Sequence, residues 1–277
     1  MTQKEDRYRI RALDRAIDIL SVLSDGRPRT LSELSADIAL SSSTTYRLIT
    51  TLAYHNYIER DEPSGKYTLG FACLELAQSY QLNNHIRKMA LPELEMLRDE
   101  TTETIHLAIL DNMEVVYLEK LHGLHAIGLM SSYIGGRALA YCTGLGKALL
   151  AYSDLDRVRA HFEQVGFRRY TDTTIVNVDD LIDHLDFVRQ QGYAWDEGEH
   201  EAEVRCVAAP VFDLTGRAVA AISIAGPVSR MESNETKKDH IEKILRAASA
   251  ISEKLGYRQA RHETKLRSAK ERSGCAE

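Results

Sequence analysis

The chain has 277 residues, of which 44% are hydrophobic and 27% are charged, a composition typical of a globular protein with about two domains. No apolar run approaches the ~20 residues of a membrane-spanning helix, and the first residues lack the apolar core of a secretion signal. A net charge of −6 argues against a protein that coats nucleic acid by bulk attraction. The cysteines stand far apart, which favours reduced thiols. We therefore expect a cytoplasmic protein that does not enter a membrane.

Three amphipathic helices are predicted in the first 55 residues. Helical spacing of apolar residues predicts a first helix that ends before the turn-forming residues 25–28. Thr30 and Glu33 form a capping-box pattern at the start of a second helix, and a third opens near Ser42. The residues predicted to face inward are Ile10, Leu13, Ile17, Leu20 and Leu23 in the first helix and Leu48, Ile49 and Leu52 in the third.

Two β-rich segments follow the helices. They cover residues 56–60 and 66–70, with turn-forming residues between them. Three helices followed by a hairpin are the element order of a winged helix-turn-helix. Residues 71–101 are helical by pattern, and we interpret them as linker helices in which Pro92 permits a restart. Their common apolar side is predicted to consist of Leu74, Ala77, Leu91, Leu94 and Leu97.

The second half of the chain mixes strands with helices. Strands are predicted at residues 104–110, 115–121, 127–131, 204–212 and 218–225. Helices are predicted at residues 144–151, from an Asn177 cap to Gln190 before Gly192, and from Glu235 to Leu255. The last helix is predicted to bury Ile241, Leu245, Ala248, Ile251 and Leu255. The tail that begins at Arg258 is basic and has few apolar residues, so we expect it to be disordered.

Several blocks along the chain resemble the IclR-type regulators. In the first half they are Arg15 to Leu20, Leu31 to Leu34, Ser43 to Leu48 and Gly65 to Gly70. In the second half they are Glu103 to Ala108, Gly144 to Leu150, Gly192 to Asp196, Val204 to Pro210 and Ala221 to Pro227. The resemblance implies an α+β protein, in which a winged helix-turn-helix is joined by linker helices to a GAF-like α/β effector-binding domain, and a dimer or dimer of dimers. The expected boundaries are 1–70 for the DNA-binding domain, 71–101 for the linker helices, 102–257 for the effector-binding domain and 258–277 for the tail.

The start of the third helix carries the predicted DNA contacts. Short hydroxyl side chains approach phosphates and base edges closely, and Arg47 lies one turn after Ser43, where it can contact a guanine or a phosphate. Arg60 and Lys66 flank the hairpin turn and can contact the DNA backbone. The predicted DNA-binding residues are Ser42, Ser43, Thr44, Tyr46, Arg47, Arg60 and Lys66.

A binding site for a small organic acid is predicted in the second half. Gly144 and Leu145 lie where a loop enters a helix, so their N–H groups can bind a carboxylate. Family resemblance places effector contacts at Gly144, Leu145, Asp196, Cys206 and Ser223, with apolar walls at Ile127, Met130, Ala138 and Val204. The chain departs from the family pattern at Ala225, where a second serine is common, at Tyr141, where histidine is common, and at Glu203, where glycine is usual. The loss of a hydroxyl at Ala225 favours an acid with an apolar or aromatic body.

The predicted function is a ligand-responsive, sequence-specific transcription regulator, expected to repress a catabolic operon from a pseudo-palindromic operator. No cofactor or metal is expected, because His122 and His125 lack a third ligand at suitable spacing. One alternative is an enzyme in which Cys206 is the nucleophile and His106 or His200 is the base. A second alternative is a purely structural protein that bridges DNA.

Overall fold

A computed structural model describes residues 9–125 and 131–258. The chain divides into two compact units, and the division falls between Asn83 and Asn84. Within the described ranges, no helix combines the length and the apolarity needed to cross a membrane. The predicted strand at residues 127–131 and the predicted tail lie almost wholly outside the described residues.

The first unit has the element order of a winged helix-turn-helix. Its elements are α1 (Arg11–Leu23), α2 (Leu31–Asp37), α3 (Ser42–Tyr54), β1 (Ile58–Arg60), β2 (Tyr67–Leu69) and α4 (Phe71–Asn83). The two strands pair antiparallel, with Glu59 opposite Thr68. The hydrophobic core of this unit consists of Ile19, Leu23, Leu34, Ile38, Ile49, Ile58 and Tyr67.

Local capping places the helices as the sequence predicts. Thr30 accepts a hydrogen bond from the Glu33 N–H at 3.3 Å while the Glu33 carboxylate accepts from the Thr30 N–H at 2.7 Å, which is the predicted capping box. Ser41 caps α3 by accepting from the Thr44 N–H at 3.3 Å. The helix therefore begins at Ser42, where the sequence predicted it.

The predicted inward face of α1 is only partly right. Ile19 and Leu23 are buried, whereas Ile10, Leu13 and Ile17 are more than half exposed. Two neighbouring apolar stripes run along this helix, and α2 and α3 cover only one of them. In α4 no residue is buried, so the apolar side predicted to include Leu74 and Ala77 is exposed in the single chain.

The expected helix restart at Pro92 is also wrong. The second unit opens with α5 (His85–Thr101), which begins after the Asn84 cap and continues through Pro92. The Asn84 side chain accepts from the Arg87 N–H at 3.0 Å and so satisfies a donor of the first turn. Leu94 and Leu97 on α5 are buried in the core of the second unit. This helix is therefore part of that unit's core.

A six-stranded antiparallel sheet forms the centre of the second unit. Its strands are β3 (Thr104–Asp111), β4 (Glu114–Leu121), β5 (Arg137–Leu139), β6 (Ala194–Asp196), β7 (Val204–Phe212) and β8 (Ala218–Pro227), in the spatial order β5-β4-β3-β8-β7-β6. The helices are α6 (Gly144–Leu150), α7 (Leu155–Val165), α8 (Val178–Gln191), α9 (Val228–Met231) and α10 (Asn234–Lys254). The sequence analysis did not predict β5, β6 or α7.

The two faces of this sheet have different roles. On one face Leu107, Val207 and Ile222 pack with α5 and α10. The other face packs against α6, α7 and α8. Side chains alternate along a strand, so the pairs His106–Ser223 and Cys206–Ala225 share this second face. The sheet thus brings together polar residues that lie more than a hundred positions apart.

The phase of α10 differs slightly from the prediction. Ala248 and Ile251 are buried as expected, but Ile241, Leu245 and Leu255 are only half buried. Their places in the core are taken by His240, Ile244 and Ala247. The apolar stripe is wide enough for two rotational settings, and packing against α5 and β7 selects one of them.

Candidate functional sites

The first turns of α3 present a polar surface. Thr45 and Ile49 point into the core, which leaves the opposite side of the helix exposed. All five predicted helix residues are exposed: Ser42, Ser43, Thr44, Tyr46 and Arg47. Within the described ranges, the hydroxyls of Ser42 and Ser43 form no hydrogen bond, whereas the Thr44 hydroxyl lies 2.9 Å from Ser41 Oγ. Ser42, Ser43 and Arg47 are thus the groups most available to a partner.

The hairpin offers a weaker cationic surface than the sequence suggested. The guanidinium of Arg60 lies over the ring of Tyr67, 5.8 Å from its centroid. Lys66 is half buried, and acidic residues Glu59 and Asp61 flank Arg60. Both cations can still contact a phosphate, but the local charge around them is close to balanced.

A cavity of about 440 Å³ lies on the α6 face of the sheet in the second unit. Every predicted effector residue that the structure describes lines it: Ala138, Gly144, Leu145, Asp196, Val204, Cys206, Ser223 and Ala225. The other two, Ile127 and Met130, lie outside the described residues. Lining residues that the sequence analysis did not assign to it include His106, Tyr117, Ser132, Thr143, Tyr170 and Glu201. Strand alternation is the signal that could have placed His106 beside Ser223.

Glycines allow α6 to pack closely against the sheet at Gly144 and against the turn before the helix at Gly146. A Cβ atom at Gly144 would lie 3.0 Å from Cys206 Sγ, and one at Gly146 would lie only 2.2 Å from the Ala140 carbonyl oxygen. The Thr143 hydroxyl caps the helix by accepting from the Gly146 N–H at 3.2 Å. A larger residue at Gly144 would narrow the cavity at its wall.

The carboxyl group of Asp196 lies beside the start of α6. Its Oδ1 atom accepts from the Gly198 N–H at 3.0 Å and from the Glu199 N–H at 2.8 Å. Burial raises the pKa of Asp196, while the Lys147 charge and backbone N–H groups, including that of Gly144, oppose the shift. One of the two N–H groups predicted to bind an effector carboxylate, that of Gly144, thus already favours the ionised form of Asp196.

A buried ion pair supports this wall of the cavity. Lys147 is completely buried, donates to the Trp195 carbonyl at 2.8 Å and forms an ion pair with Glu199. Burial raises the pKa of Glu199 to about 7, Lys147 lowers it and Asp196 raises it further. Glu199 Oε2 has no hydrogen-bond partner within the described ranges. The sequence analysis missed this pair because its members lie 52 positions apart and meet only through tertiary packing.

The environment of Cys206 does not suit a nucleophile. Burial raises the pKa of its thiol to about 12, and Asp196 acts in the same direction, so the thiolate is not populated near neutral pH. Burial also lowers the pKa of His106 to about 3. The ring nitrogens of His106 lie near the hydroxyls of Ser223 and Ser132, at 3.3 Å and 2.9 Å. These contacts give the enzyme alternative no support.

No group of three metal-ligating side chains occurs in residues 9–125 or 131–258. Of the two histidines considered in the sequence, His125 has Nε2 3.0 Å from the Thr102 hydroxyl. This histidine ring also lies 3.8 Å from Glu103, whose carboxylate is bound by Arg230.

Comparisons with known proteins agree with this architecture. A model described as the IclR helix-turn-helix domain matches residues 12–62, and a model described as bacterial transcriptional regulator IclR C-terminal matches residues 78–253. The HTH-type transcriptional regulator KdgR of Escherichia coli is 36% identical over 239 residues, which cover 86% of this chain and 90% of that protein.

Solved structures give the same result. The IclR protein of Thermotoga maritima is 29% identical with a TM-score of 0.72, and the match covers 90% of this chain and all of that one. An IclR homologue of Microbacterium hydrocarbonoxydans, in complex with 4-hydroxybenzoate, is 28% identical with a TM-score of 0.77 and covers 88% of this chain and 98% of that one. The predicted fold class is thereby confirmed. The chain belongs to the IclR family and is a DNA-binding transcription regulator rather than an enzyme.

Proposed function

We propose that this regulator represses a catabolic operon and that a small organic acid, bound in the cavity of the second unit, changes its affinity for DNA. The observation that carries the proposal is that each unit has its own set of available polar groups. In the first unit, exposed hydroxyls and Arg47 lie on α3; in the second, polar and apolar side chains line a cavity on the α6 face of the sheet. The last helix of the first unit, α4, is followed directly by the first helix of the second unit, α5, and these two helices are the proposed route of coupling.

The size and lining of the cavity suit a small organic acid. A volume of about 440 Å³ is in the range of small-ligand sites. Ala138, Val204 and Ala225 supply apolar walls, and the Microbacterium relative is complexed with an aromatic hydroxy acid. An effector carboxylate at Leu145 would lie near Asp196. We therefore propose that Asp196 accepts from an effector hydroxyl or takes up a proton when the acid binds.

Exposed apolar residues favour a homodimer, or a dimer of dimers, on a pseudo-palindromic operator. Leu13 and Ile17 on α1, and Phe71 and Leu74 on α4, are each more than half exposed in the single chain. A second copy would bury such surfaces, and a two-fold dimer reads two half-sites. The proposed place of action is the cytoplasm, where the protein meets DNA.

The test begins with the DNA. Fragments bound by the full-length protein are sequenced, and affinity for the selected site is then measured with and without aromatic, hydroxylated and short keto acids. We expect a two-fold-symmetric site and an affinity that at least one acid changes. Asp196→Asn should lose its response to hydroxyl-bearing acids first, with Asp99→Asn, an exposed position, as the control. A DNA affinity that no acid changes, or that only cations or neutral sugars change, would contradict the organic-acid proposal.

A further inference from the structure

His106 lies on the cavity floor, between two serine hydroxyls. Its Nδ1 atom is 3.3 Å from Ser223 Oγ, and its Nε2 atom is 2.9 Å from Ser132 Oγ. The ring of Tyr117 lies 5.2 Å away and restricts the imidazole from the side. Ser223 is fully buried on β8, and Ser132 precedes β5. A continuous hydrogen-bonded chain, Ser223–His106–Ser132, therefore crosses the floor.

The imidazole of His106 is neutral at physiological pH. Burial lowers its pKa to about 3, and the positive charge of Lys120 acts in the same direction. A neutral imidazole has one N–H donor and one bare nitrogen acceptor. When one ring nitrogen donates to the serine beside it, the other ring nitrogen must accept from the second serine. The two hydroxyls are consequently held in opposite orientations.

We infer that His106 is a positioning residue whose tautomer determines whether Ser223 donates to the effector or accepts from it. This inference rests on the proposal that the cavity is the effector site. With the proton on Nδ1, Ser223 accepts from His106, and its own hydroxyl proton can go to the neighbouring Cys206 sulfur or to an effector carbonyl or carboxylate oxygen that displaces this contact. With the proton on Nε2, Ser223 donates to Nδ1 and can only accept, as from an effector hydroxyl.

The same tautomer sets the orientation of Ser132 on the far side of the ring. An effector oxygen that accepts from Ser223 selects the Nδ1–H form, and Ser132 must then donate to Nε2. The Ser132 carbonyl accepts from Lys120 at 2.5 Å, and the neighbouring Ser131 hydroxyl donates to Glu201 at 3.0 Å. Whether the effector accepts from or donates to Ser223 thus sets the hydroxyl orientation of Ser132, in the segment before β5. No net charge moves in this process.

Nitrogen-15 NMR of histidine side chains in the full-length, ligand-free protein tests this inference. His106→Gln identifies the His106 signals. Ser132→Ala removes the partner of Nε2 and should favour the Nδ1–H tautomer. Ser223→Ala removes the partner of Nδ1 and should favour the Nε2–H tautomer, because an unsatisfied buried donor is unfavourable. We expect the tautomer ratio to move by about tenfold in opposite directions, the effect of roughly one hydrogen bond.

Ser131→Ala is the matched control, since this neighbouring serine hydrogen-bonds to Glu201 and not to His106. It should leave the tautomer ratio unchanged. The same tautomer in Ser132→Ala and Ser223→Ala, or a doubly protonated ring between pH 5 and 8, would overturn the inference. Ser132 is only half buried, so even if Ser223→Ala folds poorly, a Ser132→Ala ratio that does not move toward the Nδ1–H tautomer relative to wild type overturns the inference. Because no ligand is used, failure to find an effector does not affect this result, and failure here leaves the proposed function standing.

Discussion

The exposed face of α3 and the floor of the cavity use the same side-chain chemistry in opposite ways. Ser42 and Ser43 on α3 have hydroxyls that bind no other described residue. Ser132 and Ser223 at the cavity both contact His106. Buried polar groups must be satisfied even without a ligand, whereas exposed ones are satisfied by water. The proposed DNA binding at α3 would therefore displace water, whereas the proposed ligand binding in the cavity would have to rearrange hydrogen bonds that already exist.

Cationic side chains show the same contrast. Arg47 is exposed on α3, and Lys147 is completely buried and paired with Glu199. Loss of Arg47 should change DNA affinity with little effect on folding. Loss of Lys147 should change folding itself. The following predictions test this contrast, from the largest expected effect to the smallest.

Lys147→Met should lower the free energy of unfolding by about 3–5 kcal/mol at pH 8, because Glu199 is left buried without its counter-charge. Denaturant unfolding followed by circular dichroism measures the change. The double variant Lys147→Met/Glu199→Gln should recover most of the loss, since it buries no charge. Arg159→Gln, which breaks a surface pair with Asp179, should change stability by only about 0–1 kcal/mol. Equal losses in the single and double variants would assign the effect of Lys147 to packing.

Stability should depend on pH through Glu199. Its pKa is about 7 in the folded protein and near 4.5 when unfolded, so the folded state binds more protons between these values. This contribution to stability is complete below pH 4.5 and is lost as the pH rises through 7, by on the order of 3 kcal/mol. The raised pKa of Asp196 acts with the same sign as that of Glu199, and the lowered pKa values of His106 and His184 act with the opposite sign. The free energy of unfolding is therefore measured against pH for wild type and for the Lys147→Met/Glu199→Gln variant, and the difference between the two slopes is compared. Parallel curves would contradict the prediction.

Arg47→Ala should weaken binding to the selected operator by about 1–3 kcal/mol and relax preference at one position of each half-site. Lys66→Ala should weaken specific and random DNA alike, and by less, because this side chain is half buried and interacts with the charge of Glu33. Fluorescence anisotropy on both kinds of DNA measures these effects. An equal loss on both DNAs for Arg47→Ala would assign Arg47 to a phosphate.

Ser41→Ala should lower the stability of the first unit by about 1 kcal/mol, because it removes the cap of α3. Ser42→Ala, at the exposed neighbouring position, should leave thermal unfolding almost unchanged but reduce DNA affinity. Calorimetry and DNA titration on the same samples separate the two outcomes. If Ser42→Ala destabilised the fold as much as Ser41→Ala does, the assignment of α3's exposed face to DNA would be weakened.

Local patterns were enough to predict the elements whose signals lie within a few residues. The capping box at Thr30 and Glu33 placed α2, and Asn177 with Gly192 bounded α8. Gly192 adopts a φ of 82°, which glycine tolerates and which ends the helix. Short strands such as β5 and β6, three residues each, have too little periodicity to be recognised.

Burial and partnership were decided only by the tertiary structure. The apolar spacing of α1 fits two adjacent stripes, and only packing against α2 and α3 leaves Leu13 exposed while Ile19 is buried. The sequence alone suggests that Lys147 is a surface lysine. It is buried because α6 packs against the sheet, which places Lys147 beside Glu199. His106 and Ser223 meet because β3 pairs with β8 in one register, and a shift of one residue would place them on opposite faces. Local sequence determines where elements begin and end, whereas long-range strand pairing determines which polar groups share a cavity.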